Sequence, residues 1–155
     1  FRRLPAEVLM DAVCDATGID EKFDGVPRGY RAVQLWDSQV QHYFLKLFGR
    51  PARMTVCECE RVAGATISQA LHLMNNELLR RLANAFAERV SHEKPGVLSE
   101  KMRHAFRLAL GREASAKEID LAKRKLGPLA KRDGNQALQA FCHALFNAAE
   151  FIYVD

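Results

Sequence analysis

The sequence predicts a mainly α protein, an irregular bundle of about six helices with a long loop region before and around Cys57. Three observations carry this expectation. Apolar residues recur at spacings of three and four through most of the chain, as an amphipathic helix requires. Pro, Ser, Thr, Asp and Gly stand where such helices start and stop. The stretch with extended character, Arg53 to Arg61, is too short to found a sheet.

Taken in order, Pro5 occupies a first-turn position, where its missing N–H costs nothing, and Gly18 supplies the stop. Leu9, Ala12, Val13 and Ala16 share the face between them. From Ile19 to Leu35 the helical period disappears, and Gly25, Pro27 and Gly29 mark an irregular connector. Asp37 can cap a second helix that runs to Phe48 and buries Val40, Phe44, Leu47 and Phe48, with Gly49 and Pro51 ending it. The longest helix is expected from Thr66 or Ser68 to near Val90, its core stripe formed by Leu71, Met74, Leu78, Leu82 and Phe86. Pro95 and Gly96 break the chain. Ser99 can then cap a helix carrying Met102, Ala105, Phe106, Ala109 and Leu110, closed by Gly111. Ser115 with Glu118 forms a capping box for a helix presenting Ile119, Ala122 and Leu126, which Gly127-Pro128 interrupts or kinks. The last helix begins near Gly134 and turns Leu138, Phe141, Leu145 and Ala148 inward.

A chain of 155 residues fits a single helical domain, 1–155, that buries about two-thirds of its unfolded surface. No apolar run approaches the ~20 residues that cross a bilayer. The opening Phe1-Arg2-Arg3-Leu4-Pro5 has neither an initiator Met nor the pattern of an export signal, so the chain reads as a piece of a larger multidomain protein. The net charge of +4 permits an anionic partner. Arg80-Arg81, Lys123-Arg124-Lys125 and Lys131-Arg132 nevertheless lie among 19 acidic residues and read as solvated helix faces. Without a recognised module or an aromatic-basic platform, nucleic acid is disfavoured as a partner.

The chemistry concentrates in Cys57-Glu58-Cys59-Glu60-Arg61 and the helix that follows. In an extended backbone Cys57 and Cys59 project from one face and Glu58 and Glu60 from the other. Two thiolates on one face supply half of a tetrahedral metal site, so Cys57, Cys59 and His72 are the candidate ligands, with His42 next nearest in sequence. Against this stands a structural reading, in which thiols pack as small hydrophobes and the four cysteines keep three possible full pairings open. Gln69, His72, Asn75 and Asn76 form a polar edge beside the Leu71-Met74 stripe, and Asn75 and His72 could equally satisfy loop carbonyls. Gln139, His143, Asn147 and Glu150 follow one another along the final helix, as solvated rows usually do. Arg50 and Arg61 flank the Cys segment and could pair with Glu58, Glu60 or Asp37. The expected polar cluster is therefore Asp37, Arg50, Cys57, Glu58, Cys59, Glu60, Arg61, Gln69, His72 and Asn75. A Gly-rich phosphate loop, a G-x-S-x-G elbow, an H-E-x-x-H helix and a C-x-x-C-H haem attachment site are all missing from the sequence.

Several motifs occur together and in order: Arg2-Arg3-Leu4-Pro5-Ala6-Glu7, Tyr43-Phe44-Leu45-Lys46-Leu47-Phe48-Gly49-Arg50-Pro51, Cys57-Glu58-Cys59-Glu60-Arg61, Ser68-Gln69-Ala70-Leu71-His72-Leu73-Met74-Asn75 and Asn147-Ala148-Ala149-Glu150-Phe151. In these the chain resembles the C-terminal planctomycete-specific domain of unknown function found in planctomycete cytochrome c-type proteins. Ser68 replaces a common Thr and Ala148 a common Ser. The resemblance implies an extracytoplasmic location, haem c in an upstream domain with no cofactor in this segment, and upstream domains of the same polypeptide as partners. It also implies a link to polysaccharide breakdown. The expected meeting of the polar cluster with a helix N-terminus, whose free N–H groups favour anions, separately suggests an anionic polysaccharide, acidic or sulfated, as its visitor. The resemblance assigns no catalytic residue. The alternative is a metal- or thiol-dependent enzyme domain using Cys57, Cys59 and His72.

Overall fold

The computed structural model describes residues 2–35, 40–50 and 66–154. The expected mainly α architecture is what forms. Eight α-helices occur among these residues: α1 (Ala6–Thr17), α2 (Tyr43–Leu47), α3 (Ile67–Asn75), α4 (Glu77–Glu93), α5 (Leu98–Leu110), α6 (Ala116–Arg132), α7 (Gly134–Phe146) and α8 (Ala149–Ile152). A 3-10 turn at Ala32–Gln34 and two two-residue strands, β1 (Arg2–Arg3) and β2 (Tyr153–Val154), complete them.

Local chemistry fixes most boundaries. Gly18 closes α1 at φ 71°, a left-handed conformation that glycine adopts without a Cβ clash. Gly111 ends α5 in the same way. Ser115 and Glu118 form the capping box that opens α6, and the Asp133 carboxylate accepts from the Asn135 and Gln136 N–H groups to open α7. Pro5 lies one residue before α1 rather than inside its first turn, and Val97 rather than Ser99 precedes α5. Helix α6 continues through Pro128 to Arg132 without interruption. Proline withholds one ladder bond, to the Arg124 carbonyl, and on this exposed side water can replace it.

The expected single long helix divides at Asn76, and one residue performs the whole division. Its backbone is extended, its N–H donates to the His72 carbonyl to close α3, and its Oδ1 accepts from the Leu78 N–H at 2.8 Å to open α4. The break resets the helical phase. Leu82 and Phe86 are buried as the stripe predicts, but Leu71 and Met74 are 53% and 60% exposed, and Leu73 takes the inward place in α3.

The core centres on α4 and α7, which pack along each other with α5, α6 and α1 around them. Phe86 and Phe146 stack at 5.4 Å, and Leu79, Leu82, Val90, Met102, Ile119, Leu138 and Cys142 fill the space about them. β1 and β2 pair antiparallel, Arg2 with Val154 and Arg3 with Tyr153. That pairing holds Arg3 where it reaches α2 and α3.

Candidate functional site

Of the expected cluster, Arg50, Gln69, His72 and Asn75 lie among the described residues; Asp37, Cys57, Glu58, Cys59, Glu60 and Arg61 lie outside them. The fold brings Arg50, Gln69 and His72 to the end of α2. A short helix leaves its last carbonyls without ladder partners, and here side chains supply them. Gln69 Nε2 donates to the Leu47 carbonyl and Arg3 to the Phe48 carbonyl, each at 2.9 Å, while Arg50, just past the helix, donates at 3.1 Å to the Leu35 carbonyl at the end of the 3-10 turn. Gln69 Oε1 accepts from the Arg3 guanidinium and, at 3.2 Å, from the Thr66 N–H, so the same side chain completes the capping box of α3. Arg50 lies 3.7 Å from Glu7 of α1, both side chains almost wholly buried. These carbonyls are served by Gln69, Arg3 and Arg50; the role weighed for His72 and Asn75 concerned carbonyls of the Cys57 segment, which lies outside the described residues. Asn75 is exposed at the last residue of α3.

His72 sits against three rings, with centroids 5.1 Å from Tyr43, 5.9 Å from Phe44 and 6.3 Å from Phe48. Asn76 settles which nitrogen carries the proton. Its Oδ1 holds the Leu78 N–H, so its amide NH₂ faces His72 Nδ1 at 3.2 Å and donates to it. In the neutral ring the proton then resides on Nε2, which is buried with no hydrogen-bond partner. Burial, and secondarily the charge of nearby His42, lower the His72 pKa below its ordinary value. The result is a neutral imidazole with a donor on Nε2. Ligating a metal through Nε2 would require the proton to move to Nδ1 and the Asn76 contact to break.

His42 stands beside this nest, edge-on to Phe23 at 5.3 Å and 3.6 Å from the Glu21 carboxylate, which also holds Arg81 at 3.3 Å. Groups of three or more metal-ligating side chains are not found among the described residues. Cys14 and Cys142 are free thiols. Burial pushes Cys14 up to about 11 and raises Cys142 further, so neither is a thiolate at neutral pH.

The expected row does not stay on one helix, since α7 ends at Phe146 and Glu150 stands exposed on α8, but two of its members are architectural. His143 Nε2 lies 2.8 Å from the Leu73 carbonyl and Asn147 donates to the same atom at 3.4 Å, which pins the end of α3 to α7. Glu150 is gripped by Arg112, whose fork also holds Glu118: Nε to Glu150 is 2.6 Å and Nη2 to Glu118 is 2.7 Å. Sequence reasoning gave Arg3 and Glu7 no role beyond their motif and passed over Asp11. Asp11 is buried in α1 and accepts from the Ala32 and Val33 N–H groups at 2.6 and 3.1 Å, capping the 3-10 turn of the connector. The available signal was spacing, since Glu7 and Asp11 are four apart and border the apolar face of α1.

A family model described as PSD1, protein of unknown function (DUF1553), matches residues 1–126. The chain belongs to the PSD1 family. No curated protein and no solved structure matches it. The PSD1 match takes in Arg3, Glu7, Arg50, Gln69 and His72 and stops inside α6, while the α7 side chains that complete the core lie beyond it.

Proposed function

We propose that this PSD1 domain is an interaction module in the C-terminal part of an exported multidomain protein that carries haem c upstream and takes part in polysaccharide breakdown. The observation that carries the interaction reading is a contrast at one place. Around the end of α2 the Arg3 and Gln69 side chains and Nδ1 of His72 bond to the domain's own backbone and side chains, while Tyr43, Leu71 and Met74 are left 68%, 53% and 60% exposed. Large apolar side chains grouped on a polar surface favour contact with another surface. Export, haem c and polysaccharide rest on the resemblance of the motifs set out above, which lends them context.

The test adds the separately produced upstream haem domain to the isotopically labelled chain. Chemical-shift changes centred on Tyr43, Leu71 and Met74, lost in Leu71→Ser with Met74→Ser, are expected. Unchanged shifts at these residues would count against the reading. The alternative, a metal- or thiol-dependent enzyme using Cys57, Cys59 and His72, draws its support from the unpartnered Nε2 of His72. Stoichiometric metal that disappears in Cys57→Ser with Cys59→Ser would move that alternative ahead.

A further inference from the structure

Helix α6 turns a continuous basic face outward. At 100° per residue, Lys117, Arg124, Lys125, Lys131 and Arg132 fall within an arc of about 120°, and the line from Lys117 to Arg132 runs about 22 Å. All five are exposed, and none has an ion pair or side-chain hydrogen bond among the described residues. The carboxylates nearest them are engaged elsewhere or lie at the margin. Glu118 is held by Arg112, Asp133 caps α7, and Asp120 stands at the edge of the arc. Between the cations the same face presents Leu121, 49% exposed, and Pro128. The opposite side of α6, with Ile119, Ala122 and Leu126, is packed into the core.

We propose that this face binds a linear acidic polysaccharide bearing sulfate or uronate groups. Five unneutralised cations in two parallel rows along one face, Lys117, Arg124 and Lys131 beside Lys125 and Arg132, complement a chain of repeated anions, and their mutual repulsion is relieved when such a chain lies along them. Leu121 and Pro128 offer apolar contact to the C–H faces of sugar rings between the charges. Other polyanions fit less well. Inserting into an anionic membrane requires a free apolar face, and that of α6 is buried. Single-stranded nucleic acid calls for aromatic stacking platforms, and none stands on this face; a duplex meets such cations with its phosphates but gives Leu121 and Pro128 no apolar surface, and the titration below separates it. The inference deepens the interaction-module reading by naming a ligand class, and it is argued from this face alone.

The experiment compares the chain with two variants of equal net charge. One carries Arg124→Gln, Lys125→Gln, Lys131→Gln and Arg132→Gln. The other carries Lys22→Gln, Arg28→Gln, Arg80→Gln and Lys94→Gln, exposed positions away from α6. Circular dichroism checks that both fold. Calorimetric titration uses sulfated heparin-derived octasaccharide, oligogalacturonate, a short DNA duplex and anionic phospholipid vesicles. The expected result is salt-sensitive binding of an acidic oligosaccharide, weakened about tenfold or more by the α6 variant and far less by the scattered one. Equal weakening by the two variants, binding of DNA or vesicles alone, or no binding of either oligosaccharide at low salt overturns the proposal. If the acidic oligosaccharides fail while the upstream domain still shifts Tyr43, Leu71 and Met74, the α6 proposal falls and the interaction-module reading stands.

Discussion

His72 and Gln69 show how differently two neighbouring polar residues of one helix can be used. Gln69 joins three elements through its amide, and replacing it by Leu removes the partners of the part-buried Leu47 carbonyl and of the Thr66 N–H and leaves the Arg3 contact unmade. The expected loss is about 2–3 kcal/mol of stability, read as a lower urea midpoint at unchanged slope. For His72 the sign of the pH effect follows from its lowered pKa. Above about pH 6.5 the ring is neutral whether the chain is folded or not; as the pH falls below that value the unfolded chain takes up a proton that the folded one resists, so stability declines with acidification. A proton NMR titration should place the His72 midpoint below 6.5, and His72→Phe should flatten the stability profile on the acid side of neutrality. A midpoint at or above 6.5 would contradict the buried, Asn76-fixed ring. The sequence placed both residues on the polar edge of a helix, since spacing alone does that. It could not say that Gln69 reaches back to Arg3 across 66 positions, because that contact depends on how separate elements pack.

At the level of elements, caps were the most legible feature and continuity the least. Gly18, Gly111, Ser115 with Glu118, and the start near Gly134 all acted where their local chemistry directs. The unbroken stripe from Leu71 to Phe86 hid the break at Asn76, because an asparagine caps a helix only when the backbone around it leaves the helical region, and tertiary packing made that choice. The tie between the loop after α5 and the start of α8 is equally non-local. There Arg112 holds Glu118 at about 2 and lowers Glu150. Arg112→Ala should raise both carboxylates toward 4.5, measured by carbonyl-detected NMR titration. The sign is that of depressed acids: whatever stability the pairs contribute is present above pH 4.5 and is lost as the pH falls through the folded values. These groups are well exposed, so solvent screens the contribution and the pKa change is the clearer readout. Unmoved carboxylates in Arg112→Ala would show that the fork does not persist in solution.

Over the whole molecule, the PSD1 match and the core do not end at the same place. Leu138, Phe141, Cys142, Leu145 and Phe146 of α7 pack on α4 and α5, and all lie beyond residue 126. A chain cut after Leu126 should therefore lack a near-ultraviolet dichroism signal and unfold without a cooperative transition, whereas the 155-residue chain should show both. Cooperative unfolding of the shortened chain would mean that α7 is an addition to a core able to close without it. By itself the sequence determined the helical class and most helix ends, and that no helix among the described residues is long and apolar enough to cross a membrane, because hydrophobic period, capping and length act through neighbours along the chain. It also put Arg50, Gln69 and His72 in one expected cluster with Asn75 and six residues that lie outside the described ones, and these three stand near the end of α2. What only the tertiary structure decided is what those side chains do there: which carbonyls they reach, which nitrogen of His72 holds the proton, and why Leu71 and Met74 face outward. Each of these follows from distances between elements far apart in the chain, which no local pattern encodes.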